Sequence, residues 1–99
     1  MILVRGSFIA KPDRLDEALT VSLEHVKRSR LEQGCISHSV HKDVENPNRL
    51  VFVEEWMDMA ALSAHFVVPG SYKFGKLVNE LAEEEPKMVV YEAKPMKIG

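Results

Sequence analysis

Residues 50–74, LVFVEEWMDMAALSAHFVVPGSYKF, decide the fold of this chain. Apolar residues alternate up to Trp56, which is typical of a β-strand, and Asp58 is a residue type that caps the start of a helix. That helix carries His65 on its apolar face and is interrupted at Pro69-Gly70, after which a second helix can begin. The stretch therefore predicts a strand followed by a helix that is split in two.

Patterns on either side of this stretch complete a β-α-β-β-α-β order. We predict a strand over residues 2–10, a helix over 13–33 that starts at Asp13 and ends before Gly34, a hairpin of strands 35–43 and 49–56, and a last strand over 87–93. This order is the ferredoxin-like motif of the α+β class, an antiparallel four-stranded sheet with helices on one face. We predict one such domain over residues 1–99.

The predicted strands 2–10 and 49–56 are apolar on both faces. Helices on one side of the sheet cover only one of these faces, and a soluble monomer rarely exposes an apolar patch of more than a few hundred Å². We therefore predict a homodimer in which two sheets pack face to face, with a cleft left between each sheet and its split helix.

Composition excludes several classes of function. The net charge is −2 and the basic residues are scattered, so the basic stripe of a nucleic-acid-binding protein is missing. No apolar run approaches the roughly 20 residues of a membrane span, and the N-terminal stretch does not have the pattern of a signal peptide. A single cysteine, Cys35, cannot form an intramolecular disulfide and suits a reducing compartment. We expect a cytoplasmic protein with no nucleic-acid or membrane partner.

Four fragments carry a resemblance to a known family: Gly34-Cys35, the strand end at residues 52–56, Ala64-His65-Phe66, and Pro69. In these motifs and in element order the chain resembles the antibiotic biosynthesis monooxygenase (ABM) superfamily. The resemblance implies a dimeric α+β barrel. The superfamily includes cofactor-independent quinol monooxygenases, an autoinducer-2 phosphate isomerase and haem-degrading enzymes.

Departures from the family pattern narrow these activities. The haem-degrading branch uses an Asn, a Trp and a His at positions that match Ser7, His65, and Gly75 or Lys76 here, so we expect no haem. Many quinol-oxidising relatives have a histidine directly after the helix-breaking proline, where this chain has Gly70. The departure at Gly70 weakens the transfer of the family's catalytic residues to this chain.

The resemblance leads to a first functional hypothesis, a cofactor-independent monooxygenase that oxidises a quinol or polyphenolic aromatic substrate with O2. Such a reaction needs a base, a dry pocket and an electron-rich substrate that itself reduces oxygen. We predict His65 as the base and no cofactor, with substrate contacts from Trp56, Tyr72, Phe52, Phe66 and Phe74. Each of these residues also has a structural interpretation, as a packed helix histidine, a core aromatic or a rim tyrosine.

The other histidines and the cysteine are further candidates for metal ligands or catalytic groups. His38 and His41 are three residues apart on a predicted strand and so point to opposite faces, and on that basis we predict no metal site. His25 lies beside the apolar stripe of the first helix, where it is either a second acid–base group or solvated. Cys35 is predicted to share a strand face with His41 at about 20 Å, which is too far for a catalytic pair.

Two other functions remain open at this point. An isomerase or lyase of a small phosphorylated carbonyl compound would need cationic groups in the cleft, for which Lys42, Lys73 and Arg5 are the candidates. A non-catalytic dimeric ligand-binding module is favoured if both ring nitrogens of His65 are held in structural hydrogen bonds.

Overall fold

A computed structural model of the chain describes all 99 residues. Its elements are β1 (Ile2–Ile9), a 3₁₀ turn (Pro12–Arg14), α1 (Leu15–Ser29), β2 (Cys35–Asp43), β3 (Asn46–Trp56), α2 (Met59–Val67), α3 (Pro69–Leu81) and β4 (Lys87–Glu92). The predicted β-α-β-β-α-β order with a split second helix is confirmed.

The four strands form one antiparallel sheet in the order β2-β3-β1-β4, and the helices pack on one of its faces. Alternate residues of the two central strands turn toward the helices and are buried, as the period of two requires. These residues are Ile2, Val4 and Phe8 of β1 and Leu50, Phe52, Glu54 and Trp56 of β3. The alternation that the sequence shows up to Trp56 is therefore the alternation of buried and outward-facing residues in β3.

The opposite face of the sheet is not covered by any helix. Val53 of β3 and Val89 of β4 are 37% and 42% exposed on this face, and Leu3, Val51 and Tyr91 lie on it beside them. Strand β4 forms one edge of the sheet and is exposed along its whole length. The fold thus leaves a partly apolar surface on one side.

Helix α1 differs from its prediction at both ends. Asp13 does not cap it, because Pro12 begins a 3₁₀ turn and the helix starts only at Leu15 without a side-chain cap. The helix ends at Ser29 rather than near residue 33, since the Leu31 and Glu32 amides donate to carbonyl groups three residues back, Glu32 N–H to Ser29 O at 3.0 Å. Gly34 has a φ of 86°, the left-handed conformation that favours glycine.

A bulge in β2 corrects the predicted position of Cys35. The pairing register shifts between Cys35, opposite Trp56, and Ser37, opposite Glu55, so that Ile36 is the extra residue. Cys35 therefore packs on the helix side of the sheet, against the cluster that contains Trp56, and not on the face of His41.

The split helix begins and breaks as the sequence indicates. Asp58 caps α2, its Oδ1 accepting from the Ala61 amide at 2.8 Å, and Val68 has an extended conformation that separates α2 from α3. Helix α3 begins at Pro69 rather than at Ser71, because proline fits the first turn of a helix. It ends at Leu81, so the acidic residues 83–85 lie beyond it. None of the helices has the length and hydrophobicity needed to cross a membrane.

The core allows a matched test of burial. Leu50 is fully buried and Leu31 is 88% exposed. We expect Leu50→Ala to lower the free energy of unfolding by about 2–5 kcal/mol because it leaves a cavity, and Leu31→Ala to change it by less than about 0.5 kcal/mol. Urea unfolding followed by circular dichroism measures both, and equal effects would contradict the described core.

Candidate functional site

A cavity of about 310 Å³ lies between the sheet and helices α2 and α3. Four of the residues that the sequence predicts for the site line it: His65, Phe52, Phe66 and Phe74. His25 and Glu54 also line it, as do Ser7, Lys87 and Met88 on the side of β1 and β4. The cavity therefore has aromatic walls, a small number of ionisable groups, and one side formed by the edge strand.

The other two predicted site residues lie elsewhere. Trp56 is fully buried, and its ring centroid lies 4.6 Å from that of His65, so it supports the histidine without lining the cavity. Tyr72 is 64% exposed on the outer side of α3, where the Lys76 ammonium lies 4.8 Å from its ring centre. The structure does not bring Tyr72 to the cavity.

The ring of His65 is held by a carboxylate that sequence reasoning missed. Nδ1 lies 2.8 Å from Glu32 Oε1, and Ser71 Oγ lies 3.4 Å from the same nitrogen. A carboxylate only accepts hydrogen bonds, so Nδ1 carries the proton and, in the neutral ring, Nε2 carries the lone pair. Glu32 lies in the turn after α1, 33 residues from His65 in the sequence. The arrangement gives His65 a defined tautomer with a basic Nε2.

His25 lies next to His65 and is kept neutral. Its ring stacks on Phe74 at 4.0 Å, and Arg28 Nη2 donates to its Nδ1 at 2.6 Å. The pKa of His25 is lowered to about 3, chiefly by burial and then by the charges of His38, His65 and Arg28 in that order of importance. Because arginine only donates, Nδ1 accepts and Nε2 carries the proton. His25 is therefore not solvated, but lies buried at the wall of the cavity.

Strands β2 and β3 add a buried histidine and a buried carboxylate. His38 Nε2 lies 3.3 Å from Glu54 Oε1, close enough for ionic attraction but not with the geometry of a hydrogen bond. The Trp56 Nε1–H donates to the same oxygen at 2.9 Å. Burial alone would raise the pKa of Glu54, but the contact with His38 and the bond from Trp56 outweigh it and lower the pKa. Glu54 is thus held as a carboxylate.

The three buried histidines form one cluster. One ring nitrogen each of His25, His38 and His65 lies within 4.8 Å of those of the other two. His41 is exposed on the other face of β2, as the strand period predicts, but the prediction of no metal site considered only His38 with His41. The sequence could have indicated the cluster, because all three histidines occupy inward-facing positions, on α1, β2 and α2.

Packing against Arg28 explains why residue 70 is a glycine. A Cβ added there would overlap the guanidinium of Arg28, which passes over the start of α3 on its way to His25. The position where many relatives are expected to carry a histidine is therefore occupied from a different element, by the Arg28 side chain.

A four-stranded antiparallel sheet, with a split helix over a histidine-lined cavity, defines a ferredoxin-like domain of the α+β class. The family model described as antibiotic biosynthesis monooxygenase matches residues 1–77, and the chain belongs to this family. A crystal structure of an antibiotic biosynthesis monooxygenase superimposes with a TM-score of 0.89 at 29% identity, covering 96% of this chain and 100% of that one. The predicted family and fold are confirmed.

Two sequence relatives are named only in general terms. An uncharacterised protein of Synechocystis is 33% identical over 90 residues, covering 91% of this chain but 61% of that protein, so the chain spans less than two thirds of its length. YcnE of Bacillus subtilis, named as a candidate monooxygenase, is 31% identical over 65 residues, which are 66% of this chain and 68% of that protein. Neither of these names states a substrate.

The lowered pKa of His25 predicts how stability depends on pH. Below pH 6.5 the unfolded chain binds a proton at this residue, whereas the folded chain does so only near pH 3. Stability is therefore lost as the pH falls from about 6.5 towards 3, by about 2 kcal/mol at pH 5. We expect His25→Gln to reduce the difference in unfolding free energy between pH 7.5 and pH 5.0 by about that amount, measured by urea unfolding in buffer with EDTA.

The exposed His41 supplies the control for this experiment. His41→Gln should keep the pH dependence of the wild type. An unchanged pH dependence in His25→Gln would contradict a neutral, buried His25.

Proposed function

We propose that the protein is a cofactor-independent monooxygenase that oxidises a quinol or polyphenolic aromatic substrate with O2. The observation that carries the proposal is the environment of His65, whose Nδ1 is bonded to Glu32 while the ring lines an aromatic cavity. A histidine with its tautomer set in this way presents Nε2 as a base to a bound hydroxyl group. The cavity volume lies at the lower end of the range for small-molecule sites.

The reaction balances without an added reductant. His65 takes a proton from a substrate hydroxyl, and the electron-rich anion transfers electrons to O2. One oxygen atom enters the ring and the other leaves as water, so that a quinol and O2 give a hydroxylated quinone and water. Glu32 stabilises the imidazolium that forms, and the walls of Phe52, Phe66 and Phe74 keep bulk water away from the reactive anion.

The two alternatives receive less support from the same geometry. None of the cations considered for a phosphorylated substrate, Lys42, Lys73 and Arg5, lines the cavity. Lys87 does, but its place in β4, two residues before Val89, turns its side chain toward the uncovered face of the sheet. A purely structural His65 would have both ring nitrogens engaged, but both of its hydrogen-bonding contacts are at Nδ1. These observations favour the oxygenase over an isomerase or a non-catalytic module.

We propose that the working form is a cytoplasmic homodimer joined through the uncovered sheet faces. The patch formed by Leu3, Val51, Val53, Val89 and Tyr91 is apolar enough to need a cover. An identical sheet provides one by two-fold symmetry, because each copy presents the same patch.

The catalytic proposal is tested by oxygen consumption with a panel of quinols and polyphenols. We expect His65→Gln to lower the rate by about 10²–10⁴-fold, because the substitution removes the proposed base. Glu32→Gln should lower it about 10–100-fold, since an amide can donate to Nδ1 and so move the proton to Nε2.

His41→Gln, an exposed substitution of the same type, should leave the rate unchanged. Circular dichroism and thermal melting check that each variant is folded. Wild-type protein that consumes no oxygen above buffer with any substrate in the panel would overturn the proposed activity.

The dimer is tested by placing a charge in the patch. Val53→Lys brings two ammonium groups into the proposed interface, so we expect a monomer at concentrations where the wild type sediments as a dimer. Val44, in the turn between β2 and β3, is 96% exposed, and Val44→Lys is the matched control. Analytical ultracentrifugation measures the mass of each variant. A dimeric mass for Val53→Lys, equal to that of the wild type, would rule out this interface.

A further inference from the structure

We propose that His25, His38, His65 and Glu54 bind one divalent transition-metal ion of the class that imidazole ligands favour, such as Zn²⁺. The histidines come from three different elements, with ring centroids 5.2–5.7 Å apart. One ring nitrogen of each lies within 4.8 Å of the others, and the Glu54 carboxylate lies 3.3 Å from His38. Three nitrogens and one carboxylate oxygen form a ligand set suited to such ions.

The histidine nitrogens have to move only a short distance to reach the spacing of zinc ligands. Zinc–nitrogen bonds of about 2.0–2.1 Å place tetrahedral ligand atoms about 3.4 Å apart. The nitrogens therefore have to approach one another by about 1.4 Å in the widest pair, which rotation of the rings about their side-chain bonds can supply.

His38 is the residue that points to a ligand. It is 2% exposed, and neither of its ring nitrogens has a hydrogen-bond partner. Buried polar atoms in folded proteins are almost always satisfied, so an orphaned ring of this kind calls for an explanation. A metal ion would use one of these nitrogens directly, in a position already close to a carboxylate.

Contacts around the cluster orient the ligands for this role. With Nδ1 of His65 bonded to Glu32, its Nε2 remains to bind the ion, an arrangement found around metal-bound histidines. The Trp56 Nε1–H holds the Glu54 carboxylate from the other side. Glu32 and Glu54 together supply two negative charges to compensate the two positive charges of the ion.

Arg28 opposes metal binding at His25. Its guanidinium donates to Nδ1 of His25, which leaves the proton on Nε2, and its positive charge repels a cation. Arg28 is half-buried and its Nε has no partner, so the side chain is not held by other bonds at that atom. Metal binding therefore displaces Arg28 from His25, and removal of Arg28 should strengthen it.

This inference goes beyond the proposed oxygenase and can fail separately from it. An ion bound at Nε2 of His65 occupies the lone pair that the oxygenase uses as a base. The two are thus distinguished by measuring metal binding without substrate, and oxygen uptake without metal. If both hold, Zn²⁺ inhibits the metal-free reaction.

The test uses the full chain after removal of metals with EDTA and gel filtration. Zn²⁺ is titrated by calorimetry and by competition with a chromophoric chelator. We expect one ion per chain, at least about 100-fold weaker binding in His38→Phe, and about tenfold tighter binding in Arg28→Met. His41→Gln removes the exposed histidine of the same strand and should leave the affinity unchanged.

Three results would overturn the site: no Zn²⁺ binding by the wild type, unchanged affinity in His38→Phe, or loss of binding in His41→Gln, which would indicate adventitious surface binding. Circular dichroism verifies the fold of each variant. Arg28→Met leaves all four ligands in place, so an affinity no higher than that of the wild type in this variant would also count against the site, even if His38→Phe does not fold.

Discussion

The alternation of side chains along β3 is the constraint on which the rest of this structure depends. The strand lies inside the sheet, paired to β2 on one side and β1 on the other, so its register is fixed from both directions. Every second residue turns toward the helices, first Leu50 and Phe52 into the core and then Glu54 and Trp56 beneath the histidines. A shift by one residue would move all four to the uncovered face. The periodicity that builds the core thus also buries a carboxylate at the site.

The periodic features of this fold could be predicted from the sequence, because each depends on neighbouring residues. The strand faces, the Asp58 cap and the break at Pro69 are of this kind. The same periodicity also argues against Tyr72 as a substrate contact. Phe74 faces inward, and two residues correspond to about 200° around a helix, so Tyr72 points outward. That pattern was available in the sequence, and the functional assignment of Tyr72 overlooked it.

The site could be predicted only in part, because its polar groups converge from distant elements. His65 could be predicted from the pattern of its own helix. Glu32, which orients it, lies in a turn where the sequence predicts a continuation of helix α1. His38 meets His25 and His65 only after β2 packs beneath α1 and α2. A bulge at Ile36 also redirects Cys35, and nothing in the alternation of β2 indicates it. Predictions based on local patterns stop at contacts of this kind.

The cluster departs from the usual rules for a stable core. Hydrophobic residues in place of three histidines and a glutamate would avoid the cost of burying polar groups, as His38 illustrates. Natural proteins depart from such rules mostly at functional sites. Gly70 lies next to this cluster as well. Because it has no side chain, the Arg28 guanidinium fits against it.

The pairing of β4 with β1 has a consequence for synthesis of the chain. Ser7 pairs with Lys87, a residue made 80 positions later, and both line the cavity. On the ribosome, the hairpin and all three helices emerge before the strand that forms this side of the cavity. The nascent chain therefore passes through a stage in which the aromatic pocket is open along one edge and β1 has an unpaired side. Until β4 pairs with β1 this side of the cavity stays open, so closure of the pocket depends on the strand that is synthesised after the others.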